Sequence, residues 1–407
     1  MKDSGIEWIG KIPEDWDVIK TKNRYSSNKE IVGNMVDKFD RLALTLNGVI
    51  KRGKDDSEGL QPEKFEGYQI LRENELVFKL IDLENIRTSR VGLSSYTGIV
   101  SPAYIVLNNE YESKFGYYYF LSMWQREIFN KLGGDGVRSN LNTRDLLNIP
   151  YINIPMEEQR EITEYLDLKV SQIDNIISKT KETVEEYKKY KQSVITEAVT
   201  KGLNPNVEMK DSGIEWIGEI PKHWNIIRLR FLCDICTGNK DTVNKEDDGI
   251  YPFYVRSPKV EKINSYSFDG EAILTAGDGV GAGKVFHYVN EKFDYHQRVY
   301  NLHNFSKNIK PKLLYYYLKE NFYKEIEKGN AKSTVDSIRL NMLQNFPVII
   351  PNKEQEDIVK YLDKKVSEID KLISKKQNLI TELEQYKKSL IYECVTGKKE
   401  VSVSYAD

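Results

Sequence analysis

IPMEEQREITEYLDLKVSQIDNIISK occupies residues 154–179, and IPNKEQEDIVKYLDKKVSEIDKLISK returns at 350–375, an offset of 196. Each copy opens near a proline, Pro155 or Pro351, which suits the first turn of a helix. A heptad pattern follows. In the first copy Leu166, Val170, Ile173, Ile177, Thr180, Val184, Tyr187, Lys191, Val194 and Ala198 alternate at spacings of four and three. The second repeats this with Leu362, Val366, Ile369, Ile373, Lys376, Ile380, Leu383, Lys387, Leu390 and Cys394. A sustained 3.5-residue period predicts a coiled-coil helix with a narrow apolar seam. The first helix should stop near Lys201–Gly202, with Pro205 beyond it. About 43 residues at roughly 1.5 Å each predict a rod of ~64 Å. A lone heptad helix reads as a bundle element or a dimerisation zipper; two matching ones in a single chain favour pairing with each other.

A second repeat lies upstream of each helix. MKDSGIEWIG stands at 1–10 and again at 209–218, and the match runs on through Pro13 and Trp16 to Pro221 and Trp224. A period near 200 residues is a domain-scale duplication, not a solenoid. The chain therefore divides into a leading segment (1–19), a variable domain (20–148), a helix (149–203), a linker with a second leading segment (204–227), a second variable domain (228–346), a second helix (347–400) and a tail (401–407). The variable domains read as α/β. ELVFK (75–79), PAYIVL (102–107), AILTA (272–276) and KVFHYV (284–289) are strand-like. Residues 113–132 and 310–328 read as one helix each. The fold class expected is α+β: two globular α/β domains separated by two long helices, with an internal pseudo-two-fold.

The 60 Lys+Arg against 62 Asp+Glu exclude a uniformly basic coat but allow local basic faces. The small positive balance sits in the variable domains, net +2 over 20–148 and +3 over 228–346. Phosphate binding needs cations clustered on one face, and Arg, Asn, Gln and Ser are the types that read base edges. The candidates in the first domain are Lys51, Arg52 and Lys54; Arg87, Ser89 and Arg90; and Arg138, Ser139, Asn140 and Asn142. Those in the second are Lys240, Arg256, Lys284, His296, Gln297 and Arg298. The absence of a run of about 18 apolar residues and of an apolar leader argues for neither membrane span nor secretion. Three cysteines suit a reducing cytoplasm.

Several motifs resemble catalysis and fail on inspection. TAGDGVGAGKV (275–285) has Asp278 where a P-loop needs its first glycine and Val285 where it needs Ser or Thr. Its glycines fit a dinucleotide fingerprint only if a helix follows, and KVFHYV predicts a strand. A turn that lets the backbone approach a partner, or a plain hairpin, is the better reading. Cys233 and Cys236 form a lone CxxC without a second pair, so no zinc site is expected. No GxSxG, HExxH, Walker or Asn/Asp-Pro-Pro-aromatic motif occurs. The chain reads as a binding protein without catalysis or cofactor of its own.

The repeated SGIEWIGxIPxxW segment, two unlike domains and the repeated PxxEQxxIxxYLDxKVSxID helix together resemble the specificity (S) subunits of Type I restriction–modification enzymes over essentially the whole chain. VGLSSYTGIVSPAYIVL (91–107) and GVRSNLNTRDLLNIPYINIP (136–155) resemble that family's target-recognition domains. AKSTVDSIRLNMLQNFPVIIP (331–351) holds the second place but lacks the Gly-Val-Arg-Ser-Asn run. The resemblance implies that each variable domain reads one half of a bipartite, asymmetric site on double-stranded DNA. It implies antiparallel helices that act as spacer and dock for two methyltransferase (M) subunits, with restriction (R) subunits added. S-adenosylmethionine, ATP and Mg would be used by those partners.

Overall fold

The computed structural model describes residues 1–53, 64–83, 88–108, 113–132, 140–329 and 337–401, with backbone alone over 325–329. They fall into two compact units, Met1–Thr180 with Asn378–Asp407, and Lys181–Gln377. The division cuts through both long helices rather than falling at their starts. Each unit takes one leading segment, one variable domain, the first part of its own long helix and the last part of the other.

In unit 1 the leading segment forms a small hairpin, Lys2–Asp3 against Lys11–Ile12. Asp17–Lys20 then pairs antiparallel with Pro150–Asn153, so the variable domain leaves and returns at one two-stranded base. Within it, a four-stranded sheet has the order Gly48–Arg52, Asp40–Thr45, Gly98–Val100, Gln69–Leu71. A three-stranded sheet has the order Ile105–Leu107, Leu76–Phe78, Val91–Leu93. The stretch 113–132, expected as one helix, is two: α1 (Lys114–Gln125) and α2 (Ile128–Leu132). Glu127 between them takes φ +58, which no helix continues, and Ile128 and Phe129 beyond the break are buried. Asn142 caps α3 (Thr143–Asn148) in a reciprocal capping box with Asp145. The long helix α4 (Met156–Lys201) starts directly after Pro155 and ends before Gly202, at φ +81.

Unit 2 repeats the frame. Met209–Asp211 pairs with Glu219–Pro221, and Asn225–Arg228 with Pro347–Ile350. Its variable domain holds one six-stranded sheet, in the order Asp234–Thr237, Val299–His303, Phe268–Ala276, Phe286–Tyr295, Tyr251–Tyr254, Glu261–Ile263. Two helices follow, α5 (Pro311–Gly329) and α6 (Leu340–Asn345). The second long helix, α7 (Gln355–Val395), begins four residues after Pro351 instead of directly after it. Glu354, the last residue of the intervening turn, is held by Trp224 Nε1 at 3.0 Å and His223 Nε2 at 2.9 Å.

The same ties bind domain to helix in both units. Trp16 Nε1 donates to Glu158 (2.6 Å) as Trp224 Nε1 does to Glu354. Tyr118 and Lys114 of α1 both reach Asp167 at 2.7 Å, and Tyr316 and Lys312 of α5 both reach Asp363 at 2.8 Å. Tyr119 donates to the Pro150 carbonyl and Tyr317 to that of Pro347. These ties fix each variable domain to its base and to its helix at equivalent points.

Within each unit the two helix portions run antiparallel. In unit 2, Val184 lies in a cluster with Ile369, Ile373 and Tyr187, and Lys191 reaches Asp370 at 2.7 Å. In unit 1, Lys387 reaches Asp174 at 2.5 Å, while Leu166, Val170, Ile173 and Ile177 share one core with Ile380, Leu383 and Leu390. Leu166, Ile173, Ile177, Val184, Val194, Leu362, Ile369, Ile373 and Leu390 are buried, and Val170, Tyr187, Val366, Ile380 and Leu383 half-buried. In each unit the seam is thus mainly apolar with one lysine paired across it, and Thr180 turns its hydroxyl back to the Ile176 carbonyl (2.7 Å). Among the described residues no helix is long and apolar enough to cross a membrane.

Candidate nucleic-acid interface

In unit 2 two loops grip the segment His296–Arg298. On one side, Asp241 caps the turn Thr242–Asn244, and its Oδ2 accepts from Gln297 Nε2 at 2.8 Å. Its Oδ1 is 3.8 Å from His296 Nε2, and the Lys240 carbonyl accepts from Gln297 N at 2.7 Å. On the other side, Asp278 Oδ1 is 3.0 Å from Arg256 Nη1, and its Oδ2 is 3.7 Å from Arg298 Nε. Gly277 N donates to the Arg298 carbonyl at 2.7 Å. The ring of His296 is buried, and its Nδ1 accepts from Arg298 N at 2.9 Å, which assigns the proton to Nε2. Burial, and then the charge of Arg256, push its pKa down, so it is neutral at pH 7.

The structure therefore brings Lys240, Arg256, His296, Gln297 and Arg298 to one edge. Gln297 and Arg298 are exposed, and the side chain of Arg256 is 46% exposed. The Gly-rich stretch around Asp278 is a turn, and the strand Phe286–Tyr295 follows it, so it opens no helix. Gly281 is needed there for space: a Cβ would lie 2.3 Å from the Arg256 carbonyl oxygen. Lys284, at the end of this turn, lays its ammonium over the Tyr323 ring at 4.2 Å. Cys233 is buried, and the thiol of Cys236 lies 3.3 Å from Tyr295 Oη and 3.4 Å from His303 Nε2.

Unit 1 has a counterpart with different chemistry. Leu76–Phe78 pairs with Ile105–Leu107 in the same register, at offset 196, as the equivalent unit 2 strands pair. Residues 101–103 thus match 297–299. There Pro102, Ala103, Lys29, Gln69, Asn140 and Asn142 help line a cleft of about 390 Å³. Gln69 Nε2 donates to the Ser101 carbonyl (2.9 Å) and Lys29 Nζ to that of Pro102 (2.8 Å). Asn140 Oδ1 accepts from Asp82 N at 3.0 Å, and Asn142 caps α3. Among the described residues this cleft mixes amides and hydroxyls with apolar side chains and Lys29, where the edge in unit 2 carries Arg256 and Arg298.

The remaining candidates are scattered. Lys51 and Arg52 lie on the Gly48–Arg52 strand, where Lys51 pairs with Asp40 at 2.7 Å and sits over Tyr96. Ser89 and Arg90 are buried, which corrects their reading as surface contacts. Ser89 Oγ donates to the Val91 carbonyl at 2.6 Å, and the Arg90 guanidinium donates to the Asp82 carbonyl. Removed from water and turned inward, Arg90 braces the turn at Asp82, and Ser89 holds the start of the following strand. Lys54, Arg87, Arg138 and Ser139 lie outside the described residues. Sequence reasoning missed Asp241 and Asp278. The signal for Asp278 was present, since its carboxylate is what spoils the P-loop pattern.

The comparisons with known proteins agree with this layout. A family described as the type I restriction modification DNA specificity domain matches residues 221–384. The EcoDI specificity subunit of Escherichia coli is 32% identical over 142 residues, covering 35% of this chain and 31% of that subunit. The chain thus aligns with about a third of that relative's length. The MjaVIII specificity subunit of Methanocaldococcus jannaschii is 24% identical over 373 residues, 85% of this chain and 84% of that one. A solved chain from work on complex assembly and conformational transition of the type I R-M system has a TM-score of 0.72 at 16% identity, covering 96% of this chain and 100% of that one. At that identity the likeness concerns the fold. Residues 221–384 thus match a DNA specificity domain, and most of the chain is similar to specificity subunits of type I restriction enzymes.

Proposed function

We propose that this chain reads a bipartite, asymmetric target on double-stranded DNA, one half-site per variable domain, and carries no catalysis or cofactor of its own. One observation supports this most: the two units share a frame, tie for tie, while the described residues at equivalent positions differ, Ser101, Pro102 and Ala103 beside Gln69 and Asn140 in one and Gln297, Arg298 and Val299 beside Arg256 in the other. A shared frame implies the same mode of docking, and unlike faces imply unlike half-sites. Two identical readers would instead call for a palindrome.

The paired helices dock methyltransferase subunits in this reading. Ile176 and Tyr386 of unit 1 are 48% and 53% exposed, and their repeat equivalents in unit 2, Leu372 and Tyr190, are 42% and 54% exposed. Apolar residues exposed twice at equivalent points suit two copies of one partner. Those partners supply S-adenosylmethionine-dependent methylation, and restriction subunits add ATP and Mg-dependent cleavage. The test is co-expression with a cognate methyltransferase, followed by modification mapping of the host genome. A bipartite asymmetric motif that appears only when both chains are present is the expected result. Methylation by this chain alone, or a palindromic motif, would overturn it.

A further inference from the structure

We infer that Arg256 and Arg298, braced by Asp278, are the guanine-reading pair of the second variable domain, with Asp278 as a positioning residue. The inference rests on the reading of that domain as a DNA reader and adds the base class it recognises.

The Asp278 carboxylate faces both arginines, Oδ1 toward Arg256 Nη1 at 3.0 Å and Oδ2 toward Arg298 Nε at 3.7 Å. A carboxylate on an edge meant for DNA is unfavourable by itself, because phosphates repel it. It is reconciled by what it holds. Its side chain is 22% exposed, and those of Arg256 and Arg298 are 46% and 65% exposed, so the acid lies behind the cations. Each guanidinium spends one edge on the carboxylate and keeps further donors for a partner. Reading the O6/N7 edge of guanine requires a guanidinium plane that is fixed before contact, and a carboxylate at its back fixes it.

The brace is itself held in place. Gly277 N donates to the Arg298 carbonyl, Ile338 N donates to the Gly277 carbonyl (2.7 Å each), and Asp278 bridges to Ser337. Gly281 packs so close to the Arg256 backbone that a Cβ has no room. On the far side Asp241 grips Gln297, so the segment 296–298 is pinned from both flanks. Unit 1 differs at the equivalent turn. There Asp82 is contacted through its backbone by Arg90 from inside and by Asn140, and positions 101–103 carry Ser, Pro and Ala where 297–299 carry Gln, Arg and Val. Among the described residues, this braced arginine pair therefore belongs to the second variable domain.

The experiment uses the full chain co-expressed with its methyltransferase, and reads motifs by modification mapping for the wild type, Arg256→Lys, Arg298→Lys and Asp278→Asn. Lysine keeps the attraction to phosphate but cannot make the forked contact, so it separates base reading from backbone binding. The expected result is a G·C position in one half-site whose preference falls roughly 5- to 150-fold in the arginine variants. It should fall in Asp278→Asn as well, with the other half-site unchanged. That unchanged half-site also shows that each variant folds and assembles. An unaltered motif at wild-type rates, relaxation at an A·T pair, or a uniform loss at all sites with the motif intact would overturn the inference. Absence of any bipartite motif in the wild type would instead overturn the reading on which it rests.

Discussion

Lys191 of α4 and Asp370 of α7 form an ion pair at 2.7 Å in unit 2, and the same pair recurs in unit 1 as Lys387 with Asp174, each residue displaced by 196 positions and the two helices exchanged. Both lysines occupy heptad seam positions, where a buried ammonium would be costly. Their side chains are 26% and 23% exposed, so the stems pack in the seam while the charges reach the acid across it. The duplication is thereby recorded in an antiparallel register.

Reversing one charge tests that register. Asp370→Lys places two ammonium groups together and should destabilise the chain by about 1 kcal/mol, and adding Lys191→Asp should restore most of the loss. With the acids half exposed, the coupling should shrink in high salt. Thermal melts of the single and double variants at two salt concentrations check this. A double variant no better than the single one would place the lysine elsewhere.

Two glycines past the long helices should respond unequally to alanine. Gly397 has φ +67, and a Cβ there would lie 2.4 Å from Pro13 Cδ and 3.0 Å from the Trp16 ring. Gly202 has φ +81, but its nearest clash is 3.0 Å, with Trp224. Gly5, at φ +71, has nothing within 4 Å. Gly5→Ala should show backbone strain alone, roughly 1 kcal/mol. Gly397→Ala should cost more, about 2 kcal/mol or above, and shift tryptophan fluorescence through Trp16. Equal melting temperatures for all three variants would contradict the close packing of helix end and leading segment.

Alkaline stability should fall through the tyrosines that tie domain to helix. Burial first, and then the hydrogen-bonded Asp167, push the Tyr118 phenol far above its usual value, and Tyr316 with Asp363 does the same. In the unfolded chain these phenols lose their protons near pH ~10. The unfolded state then binds fewer protons than the folded one, so stability decreases as pH rises above about 10. Denaturant titrations at pH 8 to 11 should be flat at first and then decline. The Tyr118→Phe, Tyr316→Phe double variant should decline less steeply; an identical slope would show that the two phenols ionise freely in the folded state.

Much of this architecture was legible because it is periodic or duplicated. The seam from Leu166 to Val194 follows from spacing alone, and the doubled MKDSGIEWIG block announces the shared frame. What spacing does not show is long-range pairing. Glu127 breaks a helix that hydrophobicity alone would continue, because Ile128 and Phe129 turn into a core built from distant strands. Arg90 looks like a surface cation in sequence and is buried by the turn at Asp82. Asp278 gains its meaning from Arg256, 22 residues away, and from Arg298, which a strand brings beside it.

The deepest consequence of the exchanged helices concerns a fragment of residues 1–205. In the full chain, Ile9, Ile12 and Trp16 share a core with Leu390, Ile391, Cys394 and Val395, from the other repeat's helix. In unit 2, Ile220 and Trp224 share theirs with Val194, Ile195, Ala198 and Val199, which are the same positions in the first helix. The fragment keeps Val194–Val199 but loses its own partner, so two copies can complete each other by exchange, replacing a pseudo-two-fold with a true one. The register follows from the ion pairs: Lys191 of one copy meets Asp174 of the second, twice. Thr180 then stands opposite the region of Val184. Some affinity is lost, because Tyr392, whose hydroxyl bonds the Ile9 carbonyl at 3.1 Å, has Thr196 as its counterpart. Light scattering over a dilution series should give a dimer for the fragment, a dimer that dissociates at roughly 30-fold higher concentration for its Lys191→Asp variant, since two pairs of about 1 kcal/mol are reversed, and recovery when Asp174→Lys is added. With a methyltransferase partner, the dimer should modify an interrupted palindrome of two inverted first half-sites. A monomeric fragment, or modification of the original asymmetric site, would show that the two helices are not interchangeable.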